Sequence, residues 1–233
     1  MRRTLSVPAL ALIALATSSL AAQQNATGAV LVLYQIKPGM TRDFELGDQR
    51  HLDWHRAQKD PWIWPGWTVE SGEHQGWFLD ATFFHAWTDF DNPVANPSGD
   101  GANWSVNVEP YADVRSIARY DGIPSLTTLR TENLSASLMT VCYVTVHPGA
   151  GPRFESAIAA GLRAANVPHM VLRPVTGDAE YLIMLAAQKT ADLPADAELL
   201  ETVMQTAGQF VDRTHTETWS YRPELSYVGY GAR

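Results

Sequence analysis

One cysteine, Cys142, serves a chain of 233 residues. A single thiol excludes an internal disulfide and any Cys-x-x-Cys or haem-attachment motif. Lying within the apolar run 138–146, it reads as a small buried hydrophobe rather than a nucleophile. Phosphate-cradling glycine loops and a nucleophile elbow are also missing. Positive charge is scarce, with 17 Lys and Arg against 25 Asp and Glu and a formal net charge of −8. No basic run offsets that balance, which argues against nucleic acid or an anionic membrane as partner.

Long apolar runs are confined to the N-terminus. Met1-Arg2-Arg3 is followed by an Ala/Leu-rich stretch from Leu5 to Ala16 and then by small residues through Ala22. A basic start, a short apolar centre and a small-residue cleavage site are the parts of a signal peptide. Cleavage is expected after Ala22, leaving a chain without an integral membrane segment, exported to the periplasm or secreted. The general secretory route is expected, since the residues after Arg2-Arg3 match the twin-arginine pattern poorly. Losing both arginines makes the mature chain more acidic by two charges.

The rest of the sequence repeats itself. Val30–Gly39 and Thr140–Gly149 are β-branched runs stopped by Pro-Gly, and Phe44-Glu45 pairs with Phe154-Glu155 at the same offset. Pro ends a ladder and Gly permits the turn after it. Helix-compatible stretches follow at roughly Thr41–Gln58 and Gly151–Ala165, then strands ending near Gly72 and Gly177, then strands Trp77–Trp87 and Glu180–Ala187. Each copy reads β-α-β-β-α-β, a ferredoxin-like unit. The expected class is therefore α+β, with residues 1–22 as leader and repeats at 23–135 and 136–233. The two units would close one pseudo-dimeric α+β barrel, so an oligomer is possible but not required. Arg130–Leu134 is aligned with His215–Trp219, and the stretch Asn92–Asn103 is read as an extra loop of the first repeat.

Tyr34-Gln-Ile-Lys-Pro-Gly-Met40, Phe44, Gly66-Trp-Thr-Val-Glu-Ser-Gly72 and Trp87 together resemble the NIPSNAP-like branch of the dimeric α/β-barrel superfamily. The resemblance implies the barrel fold. It also implies a range of activities that includes cofactor-free monooxygenases, haem-handling and chlorite-decomposing enzymes, and ligand binders. It carries no catalytic signature to particular residues.

Chemistry-bearing residues concentrate in the first repeat, which holds seven of the eight tryptophans and four of the seven histidines. That skew suggests an aromatic-lined recess for a small hydrophobic or aromatic ligand. His51 and His55 are four apart and share a helix face. They could address a ligand or a transition metal, but no third ligand is evident and the polar neighbours suit a solvated face, so no metal is assigned. Trp67 follows the stiff segment Asp60–Gly66. In the strand Trp77–Trp87, period-two alternation puts His85 and Trp87 on the face of Leu79, Ala81 and Phe83. The expected ligand-binding set is His51, His55, Trp67, His85 and Trp87, with the cofactor unknown. No complete acid–base constellation is visible, which leaves open whether the protein is an enzyme. The first reading is an exported small-ligand or partner binder. The alternative is an oxidoreductase-type barrel, a monooxygenase or haem-handling protein, acting on an aromatic or haem-like substrate.

Overall fold

The computed structural model describes residues 26–94, 96–177 and 179–229. The leader, residues 1–22, lies outside the described residues. Chain order is β1 (Gly28–Ile36), α1 (Thr41–Gln58), β2 (Gly66–Ser71), β3 (Phe78–His85), α2 (Pro97–Asn107) and β4 (Ala112–Gly122). It continues with β5 (Leu138–Val146), α3 (Gly151–Arg163), β6 (His169–Thr176), β7 (Tyr181–Ala187), α4 (Leu193–Ala207) and β8 (Val211–Tyr221). The eight strands close a barrel in the order β1-β3-β2-β8-β5-β7-β6-β4, and every neighbouring pair is antiparallel. The expected α+β class therefore holds.

Both turns after the first strand of a half use a left-handed glycine, Gly39 at φ 79° and Gly149 at φ 74°. A side chain would be strained at either. The strand order β4-β1-β3-β2 is repeated as β8-β5-β7-β6. This order makes β4 the counterpart of β8. Thr131–Ser135 is instead a 3₁₀ turn joining the halves, so the match of Arg130–Leu134 to His215–Trp219 is corrected.

Alternation along the strands sorts side chains into layers. Leu31, Trp67, Leu79, Val141, Met184 and Trp219 fill the barrel. On one outer face, α3 and α4 press Phe154, Ile158, Leu162, Leu200 and Val203 onto Val144, Ile183 and Leu185. Each such side chain contributes about 1.5–3 kcal/mol of burial. Under α1 and α2 the apolar layer is smaller, centred on Tyr34, Phe44, Phe78 and Val108. Polar groups are buried in the same half: Asp48, His55, Asp60 and Thr82. Among the described residues no helix is long and apolar enough to cross a membrane.

The stretch read as a loop is largely helical. Asn96 accepts a hydrogen bond from the Gly99 amide, and Pro97 supplies a first residue that needs no N–H partner. These two features start α2 inside a Gly/Pro/Asn-rich segment.

Candidate functional site

Four of the five expected ligand residues lie on one chain of ring contacts outside the barrel. His51 meets His55 at 4.8 Å, and His55 meets Trp64 at 6.1 Å between centroids. Trp64 meets Trp62, Trp62 stacks on His85 at 3.8 Å, and Phe90 links both to Trp87. Trp67 is separate, fully buried in the barrel against Trp219. No single recess unites all five. Trp87 is 38% exposed.

His85 does not share the face of Leu79, Ala81 and Phe83. Phe84 adopts φ 64°, and the β1–β3 register shifts between Gly28 and Val30. This irregularity resets the alternation. Phe84 packs against the barrel core, while His85 turns outward to hydrogen-bond Thr82 and stack on Trp62. Burial holds the His85 imidazole below its ordinary pKa.

The barrel mouth contains a pairing that the sequence reading missed. A cavity of about 270 Å³ opens between the β2–β3 turn and β8, walled by Trp77, Tyr143 and Trp219 and floored by Leu31, Leu79 and Leu182. His74 Nδ1 is 2.8 Å from Glu217 Oε1, which also accepts the His74 backbone N–H at 2.9 Å. Trp219 Nε1 donates to Glu217 Oε2 at 3.0 Å. Burial alone would raise the Glu217 pKa, but hydrogen bonds from His74 and Trp219 outweigh it and hold the carboxyl below its ordinary value. Glu217 is thus a carboxylate that orients His74, whose side chain remains 21% exposed. Beside it, His215 lies flat on Tyr143 at 4.3 Å, with Glu73 and Glu180 each within 4 Å of its ring nitrogens. The signal in the sequence was the alternation His215-Thr-Glu217-Thr-Trp219, once that segment is placed on β8.

The second polar site lies between α1, α2 and the outer face of β3. His55 is buried, not on a solvated helix face, and its Nδ1 is 2.7 Å from Asp60 Oδ2. Lys59 closes α1 in the left-handed conformation, φ 57°, which turns Asp60 back onto the helix. His51 Nδ1 is 3.0 Å from Asn103 Oδ1 on α2. Beneath these rings, Tyr34 donates to Asp80 at 3.2 Å, and burial pushes the Asp80 carboxyl up to about 7. Asp48 is likewise raised well above its ordinary value, first by burial and then by the Asp80 charge. Cys142 is buried, which pushes its thiol up to about 11. It is chemically quiet at neutral pH.

No protein-family model matches the chain, and no curated protein matches it. Solved structures do. A "putative monooxygenase" from Lactobacillus acidophilus NCFM aligns with TM-score 0.61 and 9% identity over 86% of this chain and 96% of that one. An anthrone oxidase-like protein aligns with TM-score 0.53 and 13% identity over 86% and 93%. A mutant chlorite dismutase from Candidatus Nitrospira defluvii, in complex with cyanide, aligns with TM-score 0.58 and 9% identity over 87% and 93%. The chain has the dimeric α+β-barrel fold. At these identities the likeness concerns the fold alone.

Haem does not suit either cavity of this α+β barrel. The mouth is below the ~300–1,000 Å³ that accommodates drug-sized ligands, and Tyr143 covers one face of His215. A larger cavity of about 450 Å³, between Phe83, Phe84, Pro124, Arg130 and Met170, has no imidazole, thiol or phenol in its lining, the Met170 thioether being its one group of a haem-ligating type. The residues present suit a small organic molecule better than a tetrapyrrole.

Proposed function

We propose that the protein is an exported oxidoreductase-type barrel that admits a small aromatic substrate with an acidic C–H or O–H group to the mouth beside His74. The observation that carries this reading is the His74–Glu217 pair. It places a partly exposed imidazole on a buried carboxylate, which makes it a base of fixed orientation. Trp77 and Tyr143 wall the mouth, and Arg115 on its rim offers positive charge to a developing anion, Arg213 being paired with Glu180 at 3.0 Å. Two fold neighbours bear monooxygenase and oxidase names, and these names support the reaction class.

For a methylene flanked by aromatic rings, His74 takes one proton and leaves a delocalised carbanion. Dioxygen is the oxidant. A carbon–oxygen bond forms to give a hydroperoxide, which loses water to leave a carbonyl. The two methylene hydrogens leave as water with one oxygen atom, the other oxygen stays on carbon, and no further reductant is needed. The finer assignments belong to the same proposal: export after cleavage at Ala22, two ferredoxin-like units in tandem, and kinship with the NIPSNAP-like branch. They rest on the leader pattern, the repeated strand order and the Tyr34–Met40 and Gly66–Gly72 strings.

Oxygen uptake with a tricyclic aromatic ketone that bears an acidic methylene tests the reading. Wild type should consume one dioxygen per carbonyl formed, and His74→Gln should lose at least about 100-fold of the rate, the usual range for a removed general base. Saturable quenching of tryptophan fluorescence without oxygen uptake would overturn the enzyme and leave the simple binder. Full activity in His74→Gln would overturn the assigned base.

A further inference from the structure

We propose that His51, His55 and Asp100 form a binding site for a divalent transition ion of the zinc class, on the outside of the barrel and independent of its mouth. Each imidazole is held by its Nδ1. Asp60 is an acceptor only, so His55 Nδ1 must carry the proton of their 2.7 Å contact. Asp60 is itself held by the Trp62 amide at 3.0 Å and by Trp64 Nε1 at 3.4 Å.

The orientation at His51 follows by a chain of donors. Arg50 Nε can only donate, and it meets Asn107 Oδ1 at 2.8 Å. The Asn107 amide nitrogen therefore faces Asn103 and donates to its Oδ1 at 3.2 Å. Asn103 Oδ1 then also accepts from His51 Nδ1 at 3.0 Å. In their neutral form both imidazoles are therefore left with a bare Nε2.

Those two Nε2 atoms lie 3.3 Å apart, and each faces Asp100 Oδ1, at 3.5 Å from His51 and 3.4 Å from His55. Asp100 Oδ1 is buried and has no hydrogen-bond partner. In that form three lone-pair donors converge with no proton between them, a repulsive arrangement that a cation, metal ion or proton, relieves. The triangle has the right size. Ligands at ~2.0–2.1 Å from a tetrahedral zinc are separated by about 3.3–3.4 Å. Two imidazoles and one carboxylate suit zinc or iron(II) rather than calcium or magnesium, which take oxygen ligands. Asp100 is 31% exposed, so a fourth position opens toward water.

His74, His215 and Glu217 also lie close enough to share an ion. There Glu217 Oε1 already accepts two hydrogen bonds from His74 and cannot bind metal without giving them up. This contrast favours the helix site.

Full-length mature protein, stripped with chelator and titrated with Co²⁺, tests the site. One equivalent should bind, with the visible ligand-field bands of four-coordinate cobalt, and Zn²⁺ should displace it and raise the melting temperature. Asp100→Asn and His51→Gln, verified as folded by far-UV circular dichroism, should lose the bands, while His74→Gln keeps them. Absence of cobalt bands and of any zinc-dependent melting shift in wild type overturns the site, the two imidazoles then sharing only a proton. Unchanged bands in Asp100→Asn and His51→Gln overturn it equally, by placing the ion elsewhere. Neither result bears on oxygen uptake, which separates this failure from failure of the barrel-mouth reading.

Discussion

Glu217 and His74 stand 143 residues apart in sequence, yet one carboxylate oxygen receives both the ring Nδ1–H and the backbone N–H of the histidine. The partner strand supplies the anion, and the β2–β3 turn supplies the imidazole. Glu217→Gln removes the charge and turns an amide N–H₂ toward either His74 or Trp219, both of which donate. Stability at about pH 7 should fall by about 2–4 kcal/mol, as for a broken buried charged hydrogen bond. The native carboxyl titrates below its ordinary value of 4.5. Its contribution is therefore complete above that value and is lost as pH falls through the native pKa. Urea denaturation of wild type and variant should show a gap that narrows as pH falls below 4.5. An undiminished gap there would mean the loss is steric rather than ionic.

Asp80 carries the opposite sign. Its carboxyl is raised from 3.8 to about 7 by burial, so the native state holds a proton that the unfolded state has released. Between these values stability falls as pH rises, by about 4 kcal/mol at 1.36 kcal/mol per pKa unit. Asp80→Asn removes the ionisation and keeps the shape. In metal-free protein the variant should melt several degrees above wild type at about pH 8 and match it at about pH 4. Equal melting curves at both would show that Asp80 is charged in the native state at little cost.

Asp60 acts on the proposed ion through His55. Asp60→Asn retains an oxygen for the His55 Nδ1–H, at the loss of the bond from the Trp62 amide, and loses the charge that makes Nε2 a stronger donor. Cobalt affinity should drop about 10–100-fold while the band positions stay the same, because the ligands are unchanged. Titration under competition with a chromophoric chelator measures the difference. A shift in the bands themselves would show that Asp60, not Asp100, had been a ligand.

Gly47 sets how closely α1 and α2 approach. A Cβ there would lie 1.8 Å from the Asn107 backbone oxygen, an overlap that only movement of a helix end relieves. Gly47→Ala should cost about 1–3 kcal/mol or more and weaken cobalt binding, since α2 carries Asp100 and Asn103. Gly101 is the matched control within α2. Its Cβ would meet nothing within 4 Å, so Gly101→Ala should stabilise by about 0.5–1 kcal/mol and leave binding intact. Thermal melts of the two variants should move in opposite directions.

Apart from β4, whose place had been given to Arg130–Leu134, the strands and the helices at Thr41–Gln58 and roughly Gly151–Ala165 were legible because Pro-Gly stops and periodicity act locally. The His51/His55 pair was legible for the same reason, since four residues is one helical turn. Asp100 was not, because three glycines and prolines around it masked a helix started by one asparagine cap. His74 and Glu217 were hidden by sequence distance and by aligning residues 130–134 with β8. The phase of His85 was lost at Phe84, where a left-handed residue that no propensity favours breaks the alternation. Local physics reached the elements; the sites are made where distant elements meet.

Closure of the ring by β4 on β1 and by β8 on both β2 and β5 leaves every strand with two neighbours. The described residues therefore complete the barrel within one chain. Among the described residues β-addition is thereby limited to stretches where a ladder falls short, chiefly Ala112–Ala118 of β4, whose pairing with β6 is confined to Arg119–Gly122.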